Sequence, residues 1–204
     1  NNVATTGDGG AIRNSRDSLI TIDNTSFENN HANNFGGAIA NLGSTSWPGG
    51  EVTVTNGSFE NNNAIVAGGA IATALNTTTI VGSTFDENSS QSGGALAMAQ
   101  SAVTEITDTT FSHNTASSAG GAIYNEDNAS LNITGSDFTE NSSGDEGGAI
   151  WQFAALTTID DSTFSGNESA QGGGAIESTG RVTASIGRFD ISNSRFENNS
   201  SSGD

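Results

Sequence analysis

The sequence predicts an all-β fold: a parallel β-helix (β-solenoid) of about seven coils, each of 25–32 residues with three short strands. Two motifs, Phe-x-x-Asn and Gly-Gly-Ala followed by Ile or Leu, alternate along the chain seven times each. A β-branched aliphatic residue also stands five positions before every Phe. Repeats of roughly 20–50 residues are typical of solenoids. The Phe/Asn pairs are Phe27/Asn30, Phe59/Asn62, Phe85/Asn88, Phe111/Asn114, Phe138/Asn141, Phe164/Asn167 and Phe196/Asn199. The glycine motifs begin at Gly9, Gly36, Gly68, Gly93, Gly120, Gly147 and Gly173, and the β-branched residues are Ile22, Val54, Ile80, Ile106, Ile133, Ile159 and Ile191.

Short runs of apolar and β-branched residues supply the strands. Residues 19–22, 52–54 and 131–133 are such runs, and turn-forming residues bound them. No window carries the i, i+3, i+4, i+7 apolar pattern of a helix. Stacked coils would place equivalent positions about 4.8 Å apart, as neighbouring strands of a parallel sheet. We therefore expect inward rows of Phe, of Ile or Leu from the glycine motif, and of the β-branched residues.

The repeated glycine and asparagine have mechanical explanations. Two adjacent residues without a Cβ let the backbone turn a corner or let coils approach closely. Asparagine tolerates the left-handed backbone conformation, and stacked amides can hydrogen-bond to their own copies above and below. Both residue types are therefore predicted to be architectural, with the seven Asn residues forming a ladder beside the seven Phe residues.

The fourteen alternating motifs resemble the repeat of the chlamydia-type polymorphic outer-membrane proteins. The resemblance spans essentially the whole chain. Members of that family are autotransporter adhesins whose passenger regions are right-handed parallel β-helices, so the resemblance implies this handedness and an adhesive role. The chain departs from the family in having no cysteine and no C-terminal run of alternating strands that could form a membrane barrel. We expect a single domain, residues 1–204, that is a segment of a longer array or a protomer that stacks end to end.

The charge balance limits the partners. Five Lys+Arg against 23 Asp+Glu give a net charge of −18, and all five cations are arginine. Such a surface disfavours nucleic acid and anionic membranes. No run reaches the roughly 18 apolar residues that suggest a transmembrane helix. The acidic composition, rich in Ser, Thr, Asn and Gly, fits a protein that is secreted or on the cell surface, with host or matrix surface molecules or glycans as partners.

Two units are longer than the others. The extra residues fall around residues 44–50 and between Glu177 and Gly187, which would place both loops on the same edge of the solenoid. Insertions in repeat proteins often mark a binding face. The candidate binding residues are Trp47, Pro48, Arg181 and Arg188, and the alternative is that an aromatic residue caps the core laterally.

Three carboxylates suggest a calcium site. Glu28, Glu60 and Asp86 directly follow Phe in three successive coils, so stacking would bring like charges to about 5 Å. Ca²⁺ prefers oxygen ligands and could bridge them, whereas the alternative is a solvated acidic stripe. We expect no other cofactor.

The residues do not favour an enzyme. His31 and His113 lie three coils apart, and the common hydrolase and phosphate-binding motifs are absent from the sequence. The expected function is an extracellular structural or adhesive stalk. Two alternatives are a carbohydrate-binding or carbohydrate-active β-helix and an ice-binding solenoid. The ice-binding alternative is less favoured, because charged residues interrupt the outward-facing, Thr-rich positions on either side of the β-branched residues.

Overall fold

The computed structural model describes residues 1–46, 50–180 and 187–203. These residues form 29 strands and no helix, so no segment among them is a helix able to cross a membrane. The first strands are β1 Val3–Ala4, β2 Ile12–Asn14, β3 Leu19–Asp23, β4 Ser26–Glu28, β5 His31–Ala32, β6 Ile39–Leu42, β7 Glu51–Thr55, β8 Ser58–Glu60, β9 Asn63–Ala64, β10 Ile71–Ala74, β11 Thr77–Val81, β12 Thr84–Asp86, β13 Ser89–Ser90, β14 Leu96–Ala99 and β15 Val103–Thr107. The others are β16 Thr110–Ser112, β17 Thr115–Ala116, β18 Ile123–Glu126, β19 Ser130–Thr134, β20 Asp137–Thr139, β21 Ser142–Glu146, β22 Ile150–Phe153, β23 Leu156–Asp160, β24 Thr163–Ser165, β25 Glu168–Gln171, β26 Ile176–Thr179, β27 Arg188–Ser192, β28 Arg195–Glu197 and β29 Ser200–Ser201.

The strands stack into four parallel sheets, which confirms the predicted β-solenoid. Every fourth strand joins the same sheet, and each pairs with its equivalent in the next coil. Sheet A runs from β1 to β29 with eight strands. Sheets B, C and D begin at β2, β3 and β4 and have seven strands each. A coil is one turn of the solenoid, made of consecutive strands from sheets B, C, D and A.

Each coil has four strands, where the sequence predicted three. The additional strand, in sheet A, is as short as two residues and follows the Asn of each Phe-x-x-Asn motif. Its inward position carries only Ala or Ser, so it gave no apolar signal in the sequence. These small buried residues are Ala32, Ala64, Ser90, Ala116, Ser143 and Ser169.

The core is built around a row of Phe rings from sheet D. Neighbouring rings are nearly parallel, with centroids 4.6–4.9 Å apart from Phe27 to Phe196. The rings from Phe59 to Phe164 are fully buried, whereas Phe196 in the last coil is 43 % exposed. Parallel stacking follows from the register, because sheet D pairs Phe with Phe in every coil. The β-branched residues of sheet C and the Ile or Leu residues of sheet B close the core around this row.

A row of asparagine amides runs beside the Phe rings. From Asn30 to Asn167, each Nδ2 donates a hydrogen bond of 2.8–3.0 Å to Oδ1 of the Asn in the following coil. Asn114 shows the full pattern. Its Nδ2 also donates to the Phe85 carbonyl, and its backbone N–H shares the Oδ1 of Asn141. The amides from Asn30 to Asn167 are buried, so the row gives hydrogen-bond partners to groups that would otherwise lose them on leaving water.

The environment of the amide changes between the middle of the row and its last described coil. Asn62 is fully buried, and its Nδ2 donates to the Phe27 carbonyl as well as to the next amide. Asn199 is only half-buried. Its Oδ1 accepts hydrogen bonds from the Nδ2 and the backbone N–H of Asn167, and its Nδ2 donates to the Phe164 carbonyl. Asn199 therefore keeps the bonds to the preceding coil but has more contact with solvent than Asn62.

The left-handed backbone expected at the motif asparagine lies one position earlier, which corrects the sequence interpretation. Neither Asn62 nor Asn199 has a positive φ, whereas the residues directly before them do: Asn61 has a φ of 53° and Asn198 one of 55°. The exposed preceding residue makes the turn between sheets D and A, so the motif asparagine can point its amide inward. The equivalent turn residues in the other coils are Asn29, Glu87, His113, Glu140 and Gly166. The motif therefore requires asparagine for its amide and not for its backbone conformation.

The paired glycines solve two different steric problems at the corner between sheets A and B. Gly68 has a φ of +67°, a left-handed conformation that favours a residue without a Cβ. Gly69 has no positive φ, but a Cβ built on it would lie 2.0 Å from the carbonyl oxygen of Gly94 in the next coil. The first glycine therefore turns the chain, and the second lets the backbones of successive coils touch.

Removing one ring from the centre of the Phe row tests the importance of this packing. Phe111→Ala should lower the free energy of unfolding by about 3–5 kcal/mol, because it deletes a fully buried ring and leaves a cavity. Urea denaturation measures the change. The control, Thr115→Ala on the exposed side of sheet A, should have little effect. Small and equal effects of both substitutions would contradict the packing role of the row.

Candidate functional site

The outer face of sheet B carries a cleft of about 300 Å³. The outward positions of β10 and β14 are alanines, Ala72 and Ala74 followed by Ala97 and Ala99. Ala72 and Ala97 are only 3 % and 8 % exposed, so the floor of the cleft is recessed below its borders. The borders include Phe35, Leu42, Gln100, Tyr124, Glu126 and Asp127.

An aromatic pair forms one end of this cleft. Sheet B pairs Ala97 with Tyr124 and Tyr124 with Trp151 in successive coils. The rings of Tyr124 and Trp151 stack with centroids 4.6 Å apart, and Phe153 lies 5.9 Å from Trp151. The preceding coil has only the Ala97 methyl group in the equivalent position. The Tyr124 ring face turned away from Trp151 therefore borders the cleft.

Carboxylates hold the aromatic side chains in place. The Tyr124 hydroxyl donates a 2.8 Å hydrogen bond to Oε2 of Glu126, and the Trp151 indole N–H donates one of 2.8 Å to Oε2 of Glu146. Burial raises the pKa of Glu126; the Tyr124 hydrogen bond opposes this effect, and the nearby Asp127 charge adds to it. Burial, followed by the hydrogen bond to Glu126, also raises the pKa of Tyr124. This end of the cleft therefore combines an aromatic face with a half-buried acid.

The three carboxylates predicted to bind calcium lie in one row. Sheet D pairs Glu28 with Glu60 and Glu60 with Asp86 on its outward side. Oδ1 of Asp86 accepts hydrogen bonds from Ser112 at 2.7 Å and from His113 at 2.8 Å. Across the part of the chain that the structure describes, no three acidic or histidine side chains converge as metal ligands. Calcium binding stays a prediction.

His113 bridges acids from two neighbouring coils. Its Nδ1 lies 2.8 Å from Oδ1 of Asp86, and its Nε2 lies 3.2 Å from Oε2 of Glu140. The hydrogen bond with Asp86 raises the pKa of His113, and this outweighs the opposing effect of partial burial. Burial alone would raise the pKa of Asp86, but its hydrogen bonds with His113 and Ser112 together lower it. A protonated His113 thus offsets repulsion between outward carboxylates.

Both insertions fall along the sequence between a strand of sheet B and the next strand of sheet C. They connect β6 to β7 and β26 to β27. Trp47, Pro48 and Arg181 fall outside the described residues. Arg188, at the start of β27, is exposed and forms an ion pair with Asp190 on the same strand.

The outer face of sheet C contains the Thr-rich pairs considered for ice binding. Its central row reads Thr21, Thr53 and Thr79 before Glu105 interrupts it. Asp160 farther along this face accepts hydrogen bonds from Ser192 and Asn193, which lower its pKa. The hydroxyl array is therefore short and flanked by charge.

Comparison with protein-family models supports this geometry. The model described as "Right handed beta helix region" matches residues 1–160, most of the chain. The chain belongs to the right-handed β-helix family. A second model, "Chlamydia polymorphic membrane protein (Chlamydia_PMP) repeat", matches residues 161–179, in agreement with the resemblance of the repeats. No curated protein and no solved structure is significantly similar to this β-helix.

Sequence reasoning missed the cleft of this β-helix, although a signal was present. The residue after Gly-Gly-Ala-(Ile/Leu) faces outward, and reading it coil by coil identifies the site. It is alanine in three successive coils, then aromatic in two. The residues at this position are Arg13, Ala40, Ala72, Ala97, Tyr124, Trp151 and Glu177.

The His113 bridge predicts a pH-dependent contribution to stability. Because the folded-state pKa of His113 is raised above the ordinary value of about 6.5, its contribution is fully present below that value. The contribution is lost as pH rises through the raised pKa. His113→Asn suits the positive φ of 51° at this position. Melting temperatures should show a larger loss in this variant at pH 5.5 than at pH 8.5. The effect should be modest because both partners are about half exposed, 52 % and 43 %.

A pH-independent difference between the wild-type protein and the His113→Asn variant would contradict the proposed charge bridge. Both pH values used for this comparison lie above the range in which Asp86 takes up a proton, because the pKa of Asp86 is lowered. Loss of the Asp86 charge therefore does not complicate the comparison.

Calcium binding by the acidic row can be tested by titration. If Glu28, Glu60 and Asp86 hold the ion, millimolar Ca²⁺ raises the melting temperature because the ion binds only the folded chain. Glu60→Gln should then remove the increase, whereas Glu168→Gln, an exposed acid on sheet A, should retain it. An unchanged melting temperature in the wild-type protein would leave the row as a solvated acidic stripe.

Proposed function

We propose that this β-helix is a non-catalytic adhesive stalk, exposed on a cell surface or secreted. The observation that carries the proposal is the continuity of the Phe and Asn rows through all seven coils. Unbroken rows and four parallel sheets make a stiff rod, which suits a protein that holds a binding surface away from its anchor. The polymorphic membrane protein repeat at residues 161–179 supports the surface location.

The distribution of polar groups supports a structural role for most of them. The buried asparagines bond to one another and to backbone carbonyls. His113 and Asp86 form a 2.8 Å hydrogen bond on the outer face of sheet D. Glu126 at the cleft already accepts a hydrogen bond from Tyr124. These side chains are engaged in holding the rod together or in shaping its surface. We therefore assign the protein to binding, with matrix or host surface molecules as the partners.

An adhesion assay that also detects turnover tests this function. Beads coated with the purified chain should be retained under flow on surfaces carrying matrix proteins or polysaccharides. Retention should exceed that of beads coated with an unrelated protein of similar net charge, because charge alone would act equally on both. The same wells are assayed for released reducing ends and peptides, and none should appear.

Two outcomes would overturn the proposal in different ways. Retention no better than that of the charge-matched beads on every surface would remove the adhesive role. Release of sugar or peptide products that depends on the chain would show an enzyme. End-to-end self-association is a separate expectation, and sedimentation of the soluble chain over a range of concentrations measures it.

A further inference from the structure

We propose that the cleft on sheet B binds an alkylammonium group, supplied by a lysine side chain of a partner protein. The inference deepens the adhesive function by naming its ligand chemistry, and it rests on that function. Three properties of the cleft carry it: a carboxylate that forms no ion pair with the described residues, an apolar floor, and an aromatic face.

The carboxylate is that of Glu126. It is half-buried at the rim of the cleft, and within the described residues only the Tyr124 hydroxyl donates a hydrogen bond to it. Asp127 follows directly and adds a second negative charge at the same border. The chain contains no lysine, and three of its five arginines, Arg13, Arg188 and Arg195, pair with Asp8, Asp190 and Glu197. A cation from a partner would therefore compensate a charge that burial makes costly.

The apolar part of the cleft suits the hydrocarbon stem of lysine. Ala72, Ala97 and Ala99 present only methyl groups over two successive coils. A lysine side chain packs its methylene groups along such a surface while the ammonium remains near polar groups. The volume of about 300 Å³ is large enough to hold one long side chain.

The Tyr124 ring completes the site. Among the described residues, no ring stacks on its face toward Ala97, whereas its opposite face lies against Trp151 at 4.6 Å. A cation over an aromatic face is attracted by the ring quadrupole, and nearby carboxylates add to that attraction. The net charge of −18 further attracts basic partners over a distance. A neutral sugar could use the ring but would leave the Glu126 charge uncompensated.

Titration calorimetry at low ionic strength tests the proposal with a blocked peptide, acetyl-Gly-Gly-Lys-Gly-Gly-amide. The wild-type β-helix should bind it, and acetylation of the lysine Nε should weaken binding by about tenfold or more because the charge is lost. Glu126→Gln should cause a loss of similar size. Tyr124→Leu, which keeps an apolar side chain but removes the ring, should cost about three- to tenfold.

The matched control is Glu168→Gln, which makes the same chemical change on the exposed side of sheet A and should retain wild-type affinity. Melting curves confirm that each variant is folded. Asp127→Asn, in an exposed turn, provides a second charge removal at the cleft if the Glu126 variant does not fold, and it should also weaken binding.

Equal affinity for the acetylated peptide, or an equal loss in Glu168→Gln and Glu126→Gln, would overturn the site. Tighter binding of a neutral oligosaccharide than of the lysine peptide would overturn the ligand class. If coated beads adhere equally with and without Glu126→Gln, the cleft is not the site of adhesion, and the adhesive function stands. If the peptide binds as expected but coated beads do not adhere, the adhesive function is wrong and the site stands.

Discussion

Parallel backbone pairing between coils is the constraint on which the rest of the structure depends. It fixes one strand spacing between equivalent residues, and ring centroids of 4.6–4.9 Å record that spacing inside the core. Each position must therefore tolerate its own copy directly above and below. Phenylalanine does so by stacking, asparagine by amide hydrogen bonds, and the second glycine of each pair by backbone contact with the next coil. Like charges tolerate it least, and the acidic row of sheet D ends at Asp86, which pairs with Ser112 in the next coil and forms an ion pair with His113.

The sequence was sufficient to predict the solenoid because parallel pairing between coils requires similar residues to recur at a regular spacing along the chain. Phe, Gly-Gly-Ala and the β-branched residues mark three of the four sides. The fourth side was not predicted because Ala32, Ser90 and their equivalents are small or polar, and they reveal their burial only in three dimensions. A strand of two residues also leaves no alternation to detect.

The cleft could have been located in part but not characterised. Aligning the coils shows that Tyr124 and Trp151 replace alanine at an outward position. The depth of the alanine floor and the half-burial of Glu126 depend on the heights of neighbouring borders such as Phe35, which the repeat pattern does not encode. The binding residues predicted from the two insertions did not identify this cleft. Trp47, Pro48 and Arg181 lie beyond the described ranges, and Arg188 is paired on its own strand. The proposed ligand site of this chain thus lies where the outward alanine repeat is broken by Tyr124 and Trp151.

The asparagine row also gives the rod a polarity. Along the row from Asn30 to Asn167, every amide-to-amide bond runs from Nδ2 of one coil to Oδ1 of the next coil toward the C-terminal end, as for Asn88 and Asn114. Aligned donors and acceptors in a buried chain polarise one another, so the sense of one amide favours the same sense in its neighbours. A coil added by gene duplication would present its amide in the same sense and extend the row, whereas an inverted coil would oppose donor to donor. The Phe and Asn rows therefore allow the rod to change its length by whole coils during evolution without reversing either row.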